Sequence, residues 1–236
     1  MMRVPKITAC FAAAVISFSC LQFPYPEVTT ASAATGEFTE EEIRNSAVKP
    51  TISLPKIVIT EDEAKKNPDI QIALKVEGAA KKFGTIELWT SFDKRLTIPK
   101  KTDERPAAIK GGTLQYFDAD LCYSRYIDGK TNKLTDLNGV RLIASAGGNY
   151  GTDGELFSVN VKLPGNVKAG DEFPLEIVYV DHDTANNKYV NTLFTNQKND
   201  DDGRLMQAWA LDYGISNGYI RITDGNEPAS SDDFLP

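Results

Sequence analysis

Three short stretches of the sequence contain residue types that could do chemistry. The first, Gly214–Gly218, reads GISNG and matches the pattern of a serine nucleophile on a strand-to-helix turn. That chemistry needs a histidine base later in the chain, whereas the only histidine, His182, precedes Ser216. The pair Asn217-Gly218 is typical of a tight turn into a strand. We therefore interpret this stretch as a turn, and the sequence gives no reason to expect an enzyme.

The other two stretches are acidic, and both are weak as metal sites. Asp181–Asp183 reads DHD, but zinc needs three or four histidine, cysteine or carboxylate ligands, and residues 34–236 supply one histidine and one cysteine. Asn199–Gly203 reads NDDDG, but the register of a calcium-binding EF-hand would place Lys198 at the first ligand position. A polar loop and a solvated acidic turn explain these stretches. We therefore predict no bound metal or cofactor.

The first 33 residues have the pattern of a secretion signal. Two basic residues precede an apolar run from Ile7 to Phe23, and Ala31-Ser32-Ala33 fits a cleavage site. A lipoprotein box ending at Cys10 is the weaker alternative, because almost no apolar stretch precedes it. Removing the signal leaves Cys122 alone, so we expect no internal disulfide and a small buried apolar residue there. We predict a secreted protein, either extracellular or associated with the cell surface.

The charge of the chain argues against two classes of partner. The full sequence carries 26 basic and 33 acidic side chains, which gives a formal charge of −7. Nucleic-acid binders owe their affinity to basic surfaces, and anionic membranes also attract basic segments. The length remaining after the signal, about 200 residues, is sufficient for one sandwich domain with a well-buried core.

Short strands separated by Gly, Asn and Asp turns dominate the rest of the chain. We count about nine of them between residues 50 and 223, with no alternating βα units, which predicts an all-β sandwich. A long insertion, residues 181–217, precedes the last strand. Within it, residues 200–212 are predicted to form one short helix that packs by helical spacing through Leu205, Met206, Trp209 and Ala210.

The strand-rich region is flanked by polar segments on both sides. In the lead-in, residues 34–49, Thr39 and Glu42 fit a helix-capping box, and Thr60 and Glu63 fit a second one farther along. We therefore predict a signal peptide over 1–33, a polar lead-in over 34–49 and one β domain over 50–223. The remaining residues, 224–236, are predicted to be a disordered acidic tail.

The stretch FGTIELWTSFDKRL, from Phe83 to Leu96, has an unusual outward residue. As a strand it sends Ile86, Leu88 and Phe92 to one face. Thr85, Glu87, Trp89 and Ser91 lie on the other face, which puts a tryptophan on the side that should meet water.

Several segments, in the right order, resemble the cohesin family. FGTIELWTSFDKRLTI is similar to the third cohesin strand, which runs into an aromatic-Asp turn and a leucine, here Phe92, Asp93 and Leu96. The proline that usually follows the aspartate is Lys94 in this chain. Further cohesin-like strand segments read NPDIQIALKVEG, GELFSVNVKL, NVKAGDEFPLEI and NGYIRI. The resemblance covers residues 50–223 and is greatest to the divergent cohesins of rumen-type cellulosomes.

This resemblance implies a nine-stranded jelly-roll β-sandwich that binds a dockerin, a small helical module. Such a module is not catalytic and recruits enzymes or scaffoldins in a cellulosome that degrades plant polysaccharides. The calcium would belong to the dockerin, and we expect this chain to be a monomer when no partner is bound. The family docks its partner on the third, fifth, sixth and eighth strands. Carried over, the dockerin contacts are Thr85, Glu87, Trp89, Leu142, Ala144, Glu176 and Val178.

Within this set, Trp89 is the expected anchor, and Glu87 is expected to make a directed hydrogen bond. One alternative is that the 181–217 insertion, or the loops of the same strand, cover Trp89. The alternative function is a carbohydrate-binding β-sandwich that stacks sugars on exposed aromatic rings, with Trp89, Tyr116 and Tyr123 as candidates. A planar aromatic row would favour sugars, whereas one outward tryptophan beside aliphatic residues favours a helical protein partner.

Overall fold

The computed structural model describes residues 38–127, 133–178, 182–184, 187–189, 194–198 and 200–225. The predicted signal peptide and nearly all of the predicted acidic tail lie outside these residues. Within them the chain forms two facing β-sheets and a separate two-stranded hairpin. No helix in the described part of the chain has both the length and the hydrophobicity of a membrane span.

One sheet has five strands, in the order β13-β1-β3-β8-β5. The pair β1–β13 is parallel and the other pairs are antiparallel. This sheet lies opposite the candidate site and closes the core behind it. Its strands are β1 (Thr51–Ser53), β3 (Asp69–Glu77), β5 (Ala108–Lys110), β8 (Gly154–Lys162) and β13 (Ile215–Ser216).

The other sheet has seven strands and carries the candidate site. Six of them follow the order β2-β14-β9-β4-β7-β6, and β12 pairs with β4. The strands are β2 (Lys56–Thr60), β4 (Thr85–Phe92), β6 (Asp118–Ile127), β7 (Leu134–Ser145), β9 (Glu172–Val178), β12 (Phe194–Thr195) and β14 (Gly218–Thr223).

Two strands share one edge of β4. Strand β9 pairs with the second half of β4, from Trp89 to Phe92, and β12 pairs with its first two residues. The chain between β9 and β12 includes the separate hairpin of β10 (His182–Thr184) and β11 (Asn187–Tyr189). The predicted 181–217 insertion therefore contributes strands as well as a helix.

The β-sandwich prediction is confirmed, but the count of nine strands is too low. The described residues contain fourteen strands. The extra ones are only two or three residues long, and a segment of that length cannot show the alternation by which strands are recognised in sequence.

Inward side chains of the two sheets form one hydrophobic core. Ile86 and Leu88 of β4 and Leu74 of β3 are completely buried, and each such side chain contributes about 1.5–3 kcal/mol. Thr90 is a buried polar exception on the same face of β4. Its hydroxyl accepts a hydrogen bond from the Val140 N–H and donates one to the Val140 carbonyl, both at 2.9 Å. These bonds fix β7 in register beside β4.

The three α-helices in the described part of the chain begin at side-chain caps. Thr39 and Glu42 cap α1 (Glu40–Arg44), and the second predicted capping box precedes α2 (Glu61–Lys66), so both predictions are confirmed. The predicted helix of the insertion is α3 (Asp201–Asp212). It buries Met206 and Ala210 as predicted, whereas Leu205 and Trp209 are half-buried.

Candidate functional site

Four adjacent strands, in the order β9-β4-β7-β6, present one continuous outer surface. Residues directly opposite one another on paired strands point to the same side of a sheet. The register therefore defines which side chains face outward around β4. We call the following set the outer face: Thr85, Glu87, Trp89 and Ser91 of β4, Arg141, Ile143 and Ser145 of β7, Glu176 and Val178 of β9, and Asp118, Asp120 and Cys122 of β6.

The predicted parity of β7 is wrong. Leu142 lies opposite Leu88 and Ala144 lies opposite Ile86, so both point into the core, with exposures of 0% and 1%. In the sequence VRLIASA one parity is entirely apolar, whereas the other holds Arg141, Ile143 and Ser145, so alternation already favours the observed direction and the prediction put the apolar parity on the wrong face. The outward residues of this strand are Arg141, Ile143 and Ser145, and sequence reasoning missed them. The register against β4 establishes their direction, and the alternation of VRLIASA is the sequence signal that could have found them.

The other predicted contacts lie on the outer face. Thr85, Glu87, Glu176 and Val178 are half-buried there. Trp89 also points outward, but its exposure is only 5%.

Neighbouring strands already cover Trp89. The guanidinium carbon of Arg141 lies 4.6 Å from the centre of the indole ring. The indole N–H donates a 3.2 Å hydrogen bond to the Arg125 carbonyl of β6. The expectation that Trp89 waits uncovered for a partner is therefore wrong. Among the described residues, the contacts that cover it come from β6 and β7, and not from the 181–217 insertion or the loops of β4 that the alternative named.

Arg141 connects Trp89 to Glu87. Its Nε donates to Oε1 of Glu87 at 3.1 Å, and its Nη2 contacts the same oxygen. Both side chains remain partly exposed, at 29% for Arg141 and 23% for Glu87. Within the described part of the chain, Oε2 of Glu87 has no hydrogen-bond partner. The cluster therefore holds a fixed carboxylate with one acceptor oxygen still available.

A glycine permits the close approach of the strands beside this cluster. A Cβ atom on Gly139 would lie 1.8 Å from the Thr90 carbonyl oxygen, so no other residue fits there without displacing backbone. The buried Ser124 hydroxyl of β6 donates to the same carbonyl at 2.7 Å. The backbone around Thr90 is thus held from two strands, and this places Arg141 opposite Trp89.

Glu176 is the outer-face carboxylate in the least favourable surroundings. Burial raises the pKa of its side chain above the ordinary value of 4.5. Opposite it on β4 lies Ser91, and next to it the Asn217 side-chain oxygen accepts the N–H of Ile177 at 2.9 Å. Among the described residues no cation pairs with Glu176. In contrast, Asp120 pairs with Arg105.

Cys122 lies on the outer face, whereas from the sequence we expected it in the core. It lies on β6, opposite Arg141 of β7, and is half-buried. Burial raises the pKa of its thiol. It lines a cleft of about 720 Å³ between residues 96–105 and strands β6 and β7. The part of the chain that the structure describes contains no cluster of three or more histidine, cysteine or acidic residues able to hold a metal.

The aromatic residues suggested for sugar stacking do not form one exposed row. Trp89 is covered, and Tyr123 is half-buried with a buried hydroxyl that has no hydrogen-bond partner among the described residues. Tyr116 is 68% exposed, but its ring meets Tyr150 edge-on, at 6.1 Å between centres and 67° between planes. A planar platform for a polysaccharide is therefore not formed by the predicted residues.

One comparison with solved structures decides the family. A type III cohesin module from the cellulosomal ScaE cell-surface anchoring scaffoldin of Ruminococcus flavefaciens is 30% identical to this chain, with a TM-score of 0.62. The match covers 81% of this chain and 98% of that module. The chain belongs to the cohesin family. The resemblance to cohesins found in the sequence is therefore confirmed.

Two further solved cohesins are more distant. A non-cellulosomal cohesin from the archaeon Archaeoglobus fulgidus is 17% identical, with a TM-score of 0.43 over 75% of this chain and 94% of that one. The sixth cohesin of Acetivibrio cellulolyticus scaffoldin B, in complex with a mutant Cel5 dockerin, is 11% identical, with a TM-score of 0.45 over 74% and 99%. No protein-family model matches the sequence, and a search of curated proteins gives no match.

Proposed function

We propose that this cohesin binds a dockerin through the outer face and so recruits an enzyme or a scaffoldin in a cellulosome. The module itself is not catalytic in this account. The observation that carries the proposal is the strand order β9-β4-β7-β6. It places β9, which belongs to the cohesin-like segment NVKAGDEFPLEI, beside β4, which resembles the third cohesin strand, and extends their outward surface over β7 and β6. A four-strand surface of this kind is what the family uses to dock its partner.

The outer face has the chemical character of a protein-binding surface. It mixes exposed or half-buried apolar side chains, such as Ile143 and Val178, with acceptors and donors, such as Glu87, Thr85 and Ser145. Interfaces of this kind obtain affinity from a few well-placed contacts surrounded by a polar rim. We propose that Arg141 and Trp89 support Glu87 from within the face, and that Glu87, Ile143 and Val178 meet the partner directly.

The calcium requirement of binding is assigned to the dockerin. The likeness to a module of a cell-surface anchoring scaffoldin supports an extracellular or cell-surface location, together with the signal pattern of residues 1–33. Role and location are thus consistent, because a cellulosomal recruiter has to act outside the cell.

A binding panel tests the ligand class. The secreted protein is incubated on native gels with purified dockerin modules from the same organism, and in parallel with insoluble cellulose and xylan. The proposal predicts a discrete complex with at least one dockerin and no retention on polysaccharide. Retention on polysaccharide without any dockerin complex would instead identify a sugar-binding module.

A further inference from the structure

Glu176 differs from the other outer-face carboxylates in the neighbours that it has. It is a half-buried outward residue near the end of β9, opposite Ser91 on β4. Among the residues that the structure describes, neither a lysine nor an arginine pairs with it, and no hydrogen bond reaches its carboxylate. A partly desolvated carboxylate in such a position lacks the compensation that buried charges normally have.

Comparable carboxylates on the same side of the sheet are neutralised within the chain. Glu87 pairs with Arg141, and Asp120 pairs with Arg105. Glu172, four residues before Glu176 on β9, accepts a 2.9 Å hydrogen bond from Arg221. Asp118 has no such partner in the described chain, but its side chain is exposed and therefore hydrated. Of the carboxylates described on this side of the sheet, only Glu176 combines partial burial with a missing cation.

The unpaired carboxylate of Glu176 lies on the surface where the proposed partner would dock. Val178, two residues farther along β9, pairs with Trp89, so Glu176 is adjacent to the Trp89–Arg141–Glu87 cluster on the same surface. Docking would exclude more water from this carboxylate. An interface that buries an unpaired charge loses affinity, whereas one that supplies the opposite charge gains affinity and specificity.

We propose that Glu176 is a specificity-determining residue that receives a lysine or arginine side chain of the docked dockerin. This inference rests on the proposed function and adds the chemistry of the partner, which must carry a cation opposite β9. The raised pKa of Glu176 agrees with a carboxylate that lacks its counter-charge in the free protein. A dockerin with a neutral or acidic side chain at this point would be rejected.

The test compares Glu176→Gln with Glu172→Gln in the full secreted protein. Both substitutions remove one carboxylate from β9, but of the two only Glu172 pairs with a cation among the residues that the structure describes. The probe is the calcium-loaded dockerin module that binds the natural protein most tightly in the panel. Glu176→Gln is expected to weaken binding by about tenfold or more, as loss of one partner in a charged interface pair does. Glu172→Gln is expected to change the affinity by less than about twofold, as peripheral surface charges do.

A double-mutant cycle then identifies the partner side chain. Each lysine and arginine on the dockerin helices is changed to methionine and titrated against the natural protein and Glu176→Gln. The inference predicts strong coupling, of about fivefold or more, with one of these residues. Thermal unfolding of free Glu176→Gln should occur at the natural temperature or above it, which separates lost recognition from misfolding.

The outcomes distinguish this inference from the proposed function. A dockerin that binds natural protein and Glu176→Gln equally well, or that couples to Glu176 through none of its cations, overturns the inference and leaves dockerin binding intact. Failure of the natural, folded protein to bind any dockerin overturns both. Loss of affinity confined to Glu176→Gln, with one coupled cation, supports both.

Discussion

The guanidinium group of Arg141 lies 4.6 Å from the centre of the Trp89 ring, on the outward side of the sheet. A cation over the face of an indole is attracted by the ring and orients its own side chain. Here it also brings both contacting nitrogens of Arg141 onto one oxygen of Glu87. The tryptophan on the wet side of the strand therefore supports a charged contact, and does not itself present a bare aromatic surface.

The first prediction concerns Arg141. Arg141→Met should reduce dockerin affinity by about tenfold, which corresponds to 1.4 kcal/mol, because Glu87 loses the partner that orients it. Arg221→Met is the matched control, since Arg221 also lies 4.6 Å from an aromatic ring, that of Tyr219, and pairs with Glu172. Surface plasmon resonance of both variants checks the prediction. Equal losses in the two variants would contradict a special role for Arg141.

The second prediction separates the two parities of β7. Leu142→Ala should lower the free energy of unfolding by about 2–5 kcal/mol, because it removes a core side chain, with little effect on the affinity of the folded protein. Ile143→Ala should cost less than about 1 kcal/mol of stability but weaken dockerin binding. Urea unfolding combined with binding measurements distinguishes these effects. A Leu142→Ala variant that keeps its stability but loses binding would mean that Leu142 points outward, as predicted from the sequence.

The third prediction concerns Trp89 as part of the structure. Trp89→Ala should destabilise the free protein by about 3 kcal/mol, since the side chain is almost fully buried and packs against neighbouring strands. Trp89→Phe should cost less, because it keeps most of the packing and loses the hydrogen bond to Arg125, worth about 1 kcal/mol. Urea unfolding measures both changes. A Trp89→Ala variant with natural stability but no dockerin binding would make Trp89 a direct anchor after all.

The fourth prediction is a pH dependence of stability. The pKa of Glu176 is raised in the folded chain by burial, so the folded state binds this proton more tightly than the unfolded state. The ionised side chain therefore lowers stability at pH values above its raised pKa. This loss disappears as the pH falls through that pKa towards the ordinary value of 4.5.

Comparison with Glu176→Gln isolates this effect. The neighbours opposite and beside Glu176 are Ser91 and Asn217, which do not titrate in this range. The stability of the natural protein relative to Glu176→Gln should therefore fall as the pH rises from 4.5 through the raised pKa and then stay constant. Urea unfolding from pH 4 to pH 8 provides the measurement. A difference that does not change with pH would contradict the raised pKa.

Particular residues show why the sequence predicted some of the site and not the rest. The strict alternation of Ile86 and Leu88 with Glu87 determined the direction of β4, because one face was clearly polar. In the run from Arg141 to Ser145, alternation also favours burial of Leu142 and Ala144, but the single apolar residue Ile143 on the other parity blurs the pattern, and pairing with β4 settles the direction. The covering of Trp89 depends on the same pairing, because Arg141 is brought opposite it only in the folded sheet.

The most direct test of dockerin recognition by this cohesin is calorimetric titration of residues 34–236 with a purified dockerin, in calcium and again in excess chelator. The account predicts one-to-one binding in calcium, loss of binding in chelator, and marked weakening of the calcium-dependent complex by Ile143→Glu on the outer face. Tight binding that is unaffected by Ile143→Glu would contradict docking on this face. The absence of heat with every dockerin from the organism would contradict the proposed function itself.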